Sequence, residues 1–306
     1  MASGPGTTRG PARIALATCA EVAGPDGRGL EPDGQALAAT LAAAGHTAEP
    51  AVWDDPGVDW SRYDLVLLRS TWDYAERRKA FLAWAAHVDR CSRLVNPLPV
   101  VRWNTDKVYL RELAAAGVPV VPTTFVTPGE ALRRPAEGEY VVKPAVSAGS
   151  RGTGRYGPDD AADARAHAEA LLAAGRTVMV QPYVPSVDDA GETALVYIAG
   201  AYHHTFRKGA ILARGAGLVD GLFAPEEITA AVPTPGERAV GDDALRTVTT
   251  RFGTLAYARV DLVAGAAGPE VLEVELTEPS LFFAEAGSTP TALADEVVRR
   301  AGAAAG

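Results

Sequence analysis

Tyr257-Ala258-Arg259-Val260-Asp261-Leu262-Val263 and Glu270-Val271-Leu272-Glu273-Val274-Glu275-Leu276 decide the reading of this chain. Both stretches alternate, and side chains two apart share one face of a sheet. Arg259 and Asp261 therefore point one way, and so do Glu273 and Glu275. Between them, Ala264-Gly265-Ala266-Ala267-Gly268-Pro269 turns the chain back into an antiparallel pair. With the charged faces in register, three carboxylates and one guanidinium gather on one surface. Crowded carboxylates repel unless a cation sits among them, and magnesium accepts such hard oxygen ligands together with phosphate oxygens. The competing reading is a half-exposed hairpin with its polar face in water, because exposed strands alternate too. The rest of the chain decides between the two.

The chain has 306 residues, 47% of them apolar, enough for one large domain or two to three small ones. Its net charge of −9 argues against a nucleic-acid partner, which calls for a basic footprint. Cys19 and Cys91 are the only cysteines, without a CxxC, so no disulfide framework or zinc site is readable. Neighbours on a strand face opposite ways, so His203-His204 is read as non-metal. No apolar run approaches the ~18 residues of a membrane span. Ile14 to Ala20 leads into Glu21 and reads as a first strand rather than a signal peptide. The expectation is a cytoplasmic protein with no membrane association. Lysine is confined to Lys79, Lys107, Lys143 and Lys208, and a lysine kept in an arginine-rich chain suggests a need for a compact ammonium.

Met1 to Ala12 reads as a disordered start. Strands are expected at Arg13–Thr18, Thr47–Trp53 and Asp64–Leu68, with a Gly/Pro/Asp-rich loop over Ala23–Gly34 and a helix over Gln35–Ala44. That order suggests a small open α/β unit, whose ligands gather at the carboxyl ends of its strands. The rule points to Arg69-Ser70-Thr71-Trp72-Asp73-Tyr74, a stretch able to recognise a small zwitterion. The same stretch also reads as a cap, Thr71 or Asp73, for a helix running from Tyr74 to Cys91. Leu94 to Val101 is a proline-punctuated link, with a domain boundary near Val100–Arg102.

Asn104-Thr105-Asp106-Lys107 then opens a helix to Ala116, placing Lys107 in a first turn, where it opposes the helix dipole and suits a ligand better than the helix. Strands follow at Val118–Phe125 and Glu139–Lys143. Ser147 to Gly154 is a small-residue loop of the kind that cradles phosphates, or else a flexible hairpin tip. Gly152-Thr153-Gly154-Arg155-Tyr156-Gly157 matches GxGxxG but lies about eight residues past its strand, so it is a decoy. Ala161–Ala174 is helical, Val178–Val184 is a strand entering a proline-fixed segment, and Glu192–Ile198 with Ala201–Arg207 form a hairpin. Lys208 and Arg214 follow, then helices over Pro235–Phe252 and Pro290–Ala301.

Taken together, Lys107, the strand end Val142-Lys143-Pro144, the glycine-rich loop, Gln181-Pro182-Tyr183-Val184, Arg259-x-Asp261 and Glu273-x-Glu275 resemble the ATP-grasp superfamily. The resemblance is to the branch that includes glutathione synthetase, D-alanine–D-alanine ligase and ribosomal-protein glutamate ligases. The resemblance covers about residues 102 to 290 and implies an α/β architecture: an N-terminal open α/β domain (1–101) and an ATP-grasp domain (102–306) of mixed α+β type. A small lid is expected at about 118–183.

It implies that Lys107, Lys143 and Lys208 reach ATP phosphates and that the loop carrying Ser147, Gly149, Ser150 and Gly152 closes over them. Gln181 to Val184 match the adenine hinge, and Glu192 lies on the nucleotide side. Arg214 and Arg259 match catalytic basic positions. Asp261, Glu273 and Glu275 match the magnesium ligands, where Glu275 departs from the commoner Asn and adds charge for a second ion, manganese being an alternative metal. The implied reaction converts a carboxylate to an acyl phosphate that a nitrogen then attacks.

Arg69–Tyr74, Arg102-Trp103-Asn104-Thr105 and Leu272–Pro279 resemble more narrowly the subgroup containing the O-ureido-serine cyclo-ligase of cycloserine biosynthesis. This implies a small amino-acid-like substrate held by Arg69, Ser70, Thr71, Trp72, Asp73 and Ser280. An intermolecular carboxylate–amine ligase and a nucleotide-binding module without ligase activity are the alternatives. Oligomeric state stays open.

Overall fold

The structure, a computed structural model, describes residues 10–135, 137–210, 212 and 227–303. The expected disordered start falls largely outside them, and Arg214 lies outside them altogether. The chain opens with strand β1 (Arg13–Thr18), helix α1 (Ala20–Ala23), helix α2 (Pro32–Ala43), strand β2 (Thr47–Val52), strand β3 (Leu65–Ser70), helix α3 (Arg78–Cys91) and strand β4 (Leu94–Val95). The strands form a parallel sheet in the order β2-β1-β3-β4. β1 and β3 are buried almost throughout, as a sheet covered on both faces requires.

Four expectations change in this sheet. Pro32 starts α2 three residues before the expected Gln35, because proline's fixed φ suits a first helical turn. β3 continues through Arg69 and Ser70, which are buried rather than at an open strand end. Neither Thr71 nor Asp73 caps α3; a 3-10 turn over Trp72–Glu76 intervenes. The link after α3 is structured by β4 and helix α4 (Leu98–Asn104), so the expected boundary at Val100–Arg102 falls inside a helix, and Asn104 ends that helix instead of opening the next.

Asp106 caps a 3-10 turn at Lys107–Tyr109, followed by helix α5 (Leu110–Ala115). The expected strand Val118–Phe125 shrinks to β5 (Thr124–Val126) plus a bridge from Val120 to Val271. Next come β6 (Tyr140–Pro144), β7 (Gly154–Tyr156), helix α6 (Ala161–Ala173) and β8 (Val178–Pro182), in an antiparallel sheet ordered β5-β8-β6-β7. β7 begins on the second glycine of the GxGxxG match, so that stretch is strand and not a dinucleotide turn.

Helix α7 (Ser186–Ala190) leads into β9 (Glu192–Ile198), β10 (Ala201–Lys208), β11 (Ile228–Ala230), helix α8 (Pro235–Phe252), β12 (Tyr257–Gly265), β13 (Gly268–Glu275) and helix α9 (Thr291–Gly302). These strands make an antiparallel sheet ordered β11-β10-β9-β12-β13. Ala258, Val260 and Val274 pack with Ala244, Leu245 and Val248 of α8, so the opposite faces of β12 and β13 are free to carry charge. Near β9, the chain's first and last parts share one core, in which Ile14, Leu37 and Leu65 meet Val196, Leu281 and Val297. A register shift between Tyr202 and His204 turns the two neighbouring imidazoles together instead of apart, with their Nδ1 atoms 2.7 Å from each other.

Candidate active site

Arg259 faces Glu275 across the β12–β13 pair, and Asp261 faces Glu273. Oxygens of Asp261, Glu273 and Glu275 lie within 4.8 Å of one another. Arg259 grips Asp261 with two bonds of 2.8 Å, reaches Glu275 at 2.5 Å, and donates to the Ser280 carbonyl at 2.8 Å. Lys208 bridges Asp261 at 2.9 Å and Glu192 at 2.7 Å. Lys107 donates to the Ser147 carbonyl at 2.8 Å and lies 3.4 Å from Glu273.

Burial penalises the charge on Asp261, yet Arg259 and Lys208 hold its carboxyl below the ordinary range. Glu273 is likewise held low against burial, chiefly by Lys107. Glu275 is pushed well up by burial and by its acidic neighbours, despite Arg259. With oxygens this close, the carboxylates repel one another when all are ionised. A hard divalent cation can neutralise that crowding, so this donor set fits magnesium.

These groups border a cavity of about 770 Å³. Lys143, in β6, lines it, its ammonium pKa lowered by burial and by Lys107 and Lys208. Pro182 at the end of β8 and Tyr183 and Val184 just after it line it too. Gln181 bonds Thr123 with its side chain at 2.8 Å. Tyr183 is fixed by its N–H bond to Glu139 at 2.8 Å and by Arg155, whose guanidinium stacks 3.5 Å from the ring centroid. Burial raises the carboxyl pKa of Glu192 on this wall against the pull of Lys208.

Ser147, Gly149 and Ser150 also line the cavity, and both Gly149 and Ser150 adopt positive φ near 60°, exposing consecutive backbone groups. Gly152 does not line it; its Cα hydrogen side faces Pro144.

The expected substrate residues divide: Trp72 and Ser280 line the cavity, but Arg69, Ser70, Thr71 and Asp73 do not. Arg69 is spent inside the protein, 3.0 Å from Glu31 and 3.6 Å from Asp33, and Ser70 bonds Glu31 at 3.0 Å. Asp73 accepts from the Trp53 indole at 2.7 Å and pairs with Arg77. A full positive charge buried at the end of β3 needs such partners, which is why it cannot also serve the opening.

Tyr74, the last residue of the stretch read as able to recognise a zwitterion, lines the cavity, and among the lining residues that the sequence did not single out are Glu31, Asp33 and Glu278. Asp33 accepts from the backbone N–H groups of Leu281, Phe282 and Phe283 at 2.7, 2.9 and 3.1 Å, holding Phe282 at a positive φ of 49°. Trp72 donates to the Glu278 carbonyl at 3.1 Å. The signal was weak: Asp33 follows a proline in a turn-rich stretch, and Glu278 lies beyond the periodic part of β13.

The family description "D-cycloserine synthetase DcsG, N-terminal domain" matches residues 14–96. The chain is 44% identical over 269 residues to the cycloserine biosynthesis protein DcsG of Streptomyces lavendulae, covering 80% of this chain and 86% of that one. The crystal structure of D-cycloserine synthetase DcsG superposes with a TM-score of 0.84 at 39% identity, over 94% of this chain and 99% of that one. The ATP-grasp ligase PsnB, solved with a precursor variant, Mg and ADP, shares the fold at a TM-score of 0.63 and 20% identity, over 94% and 98%. The chain belongs to the D-cycloserine synthetase family of ATP-grasp, C–N bond-forming ligases.

Proposed function

We propose that this ligase uses ATP to convert the carboxylate of a small amino-acid-like substrate to an acyl phosphate, and that a nitrogen of the same molecule closes a ring on it. O-ureido-D-serine cyclised to D-cycloserine, with its carbamoyl group lost to water as ammonia and carbon dioxide, is the leading reaction. The observation that supports this best is a single cavity whose hinge and lysines share one space with Trp72, Tyr74 and Ser280 across the Asp261, Glu273 and Glu275 group, in a chain 44% identical to DcsG. In this reading residues 1–101 supply the substrate-side domain and 102–306 the nucleotide-side domain, with the lid at about 118–183.

The hinge backbone at Gln181 to Val184 receives adenine, and Lys107, Lys143 and Lys208 hold the phosphates. The loop carrying Ser147 and Ser150 shuts over them and excludes water from a labile acyl phosphate. Arg259 sits beside Ser280 and aligns the reacting carboxylate with the terminal phosphate. Bound at Asp261, Glu273 and Glu275, magnesium supplies neutralisation of the phosphate charge. The carboxylates carry charge enough for two such ions, with manganese as a substitute. Transfer of this kind depends on positioning and charge rather than on covalent help from the protein.

Incubation with MgATP and O-ureido-D-serine, followed by mass spectrometry, tests the proposal. ADP together with D-cycloserine is expected. ADP and ligated product only on addition of a separate amine would transfer the reading to an intermolecular ligase. Absence of ADP with every carboxylic acid tried would refute it.

A further inference from the structure

Attack of a nitrogen on an acyl phosphate releases a proton, and the cavity must offer a group to take it. Among the described residues, no histidine or cysteine lines this cavity. Its carboxyl groups are otherwise engaged. Asp261, Glu273 and Glu275 form one cluster, and Glu192 pairs with Lys208. Glu31 is bound by Arg69 and Ser70, and Asp33 by three backbone N–H groups. Glu21 and Glu285 are exposed on the rim. Glu278 is the remaining one, 9% exposed and on the cavity wall two residues before Ser280. Trp72 anchors its backbone carbonyl at 3.1 Å, which aims the side chain from a fixed backbone position.

We propose that Glu278 is the general base of the bond-forming step, a role that rests on the ligase reading above. In that step the ureido nitrogen bonded to oxygen forms the C–N bond, the bond from the acyl carbon to the phosphate oxygen breaks, and phosphate leaves with its electron pair. That nitrogen's proton passes to the Glu278 carboxylate and then to solvent. Water then cleaves the carbamoyl group from the ring nitrogen as carbamate, which breaks down to ammonia and carbon dioxide and leaves D-cycloserine. The surroundings suit the task. Burial pushes this carboxyl up to about 7, while Lys107, the Tyr74 hydroxyl and Arg259 pull it down and Glu273 pushes it up. A base is most effective when its pKa lies near the working pH.

The test measures ADP and organic product in the same reaction mixture for the full-length wild type and Glu278→Gln, with MgATP and O-ureido-D-serine. Loss of the base leaves carboxylate activation intact, so ADP release continues while the trapped acyl phosphate hydrolyses. Product formation is expected to fall at least ~100-fold, and the ratio of ADP to product to rise accordingly. An unchanged ratio, with both rates equal to wild type or both lowered together, overturns the proposal. Should Glu278→Gln fail to fold, Tyr74→Phe removes a hydroxyl that lowers the Glu278 pKa. The acid limb of product formation must then move to higher pH while the ADP limb stays, and an unmoved product limb overturns the assignment. Wild type that makes no ADP at all refutes the ligase reading itself; wild type that makes product, beside a variant of unchanged ratio, refutes only the role of Glu278.

Discussion

Replacing Asp33 with Asn isolates one side chain that joins the beginning of the chain to its end. The carboxylate is 7% exposed and accepts three backbone N–H groups from Leu281 to Phe283. Oδ2 takes two of these bonds and Oδ1 takes the third. Asn can keep the oxygen at the Oδ2 position, but its NH₂ then meets the Phe283 N–H, donor against donor. A hydrogen bond to a charged group contributes about 1.5–3 kcal/mol, and a buried donor left unpaired costs about 1–3 kcal/mol. Arg69, 1% exposed, also loses the charge of Asp33 at 3.6 Å while keeping that of Glu31 at 3.0 Å. The expected loss is about 3–5 kcal/mol. At ~2 °C per kcal/mol for a chain of this size, Tm falls by about 6–10 °C. Scanning calorimetry reads the shift in the first transition, since several sheets need not melt together. Phe282 and Ser280 line the cavity, so KM for the organic acid should rise while KM for ATP stays. An unchanged Tm would refute the reasoning, because no buried carboxylate with these partners can be neutralised without effect.

Three further outcomes are expected. Glu273→Gln should abolish turnover and leave the far-ultraviolet circular dichroism intact, because it removes one charge from the metal-binding group without changing shape; turnover at ordinary magnesium would contradict the metal assignment. Gly191→Ala should destabilise by at least ~1–3 kcal/mol in thermal melts, since Gly191 has a φ of +68° and an added Cβ meets the Lys208 carbonyl at 2.2 Å; it should also raise KM for ATP by displacing Lys208. Burial lowers the His204 pKa below 6.5, so the unfolded chain binds more protons as pH drops through 6.5, and stability contributed above that pH is lost towards the lower folded value. His204→Gln should therefore lose less Tm between pH 7.5 and pH 5.5, on the order of 1 kcal/mol per unit of pKa shift, and equal losses in the two proteins would contradict this.

Period-two alternation made the charged face of β12 and β13 legible, because a register that buries Val260 and Val274 leaves Arg259, Asp261, Glu273 and Glu275 no other face. Lys107 was legible for a different reason: it stands at a turn start, where a lysine is locally unfavourable. The surroundings of Arg69 were not. Arg69 looked like a ligand because strand ends carry ligands, but β3 runs two residues further and its charge is consumed by Glu31 and Asp33, 38 and 36 positions away. Glu31 and Asp33 were hidden in a Gly/Pro/Asp-rich stretch, where Pro32 reads equally as a turn residue or as a helix start. Glu278 carries no periodic signal, since its place on the cavity depends on Asn104 bonding Val274, Leu276 and Thr277 and on Trp72 reaching its carbonyl. Long-range pairing of this kind is written in no short window of sequence.

Acyl-phosphate formation is the central claim, and oxygen transfer tests it most directly. O-ureido-D-serine labelled with ¹⁸O in both carboxylate oxygens is incubated with MgATP and the enzyme, and the released phosphate is analysed by mass spectrometry. The account predicts one ¹⁸O atom in each phosphate released with product. Phosphate free of label, with or without product, would mean that the carboxylate does not attack ATP, and would contradict it.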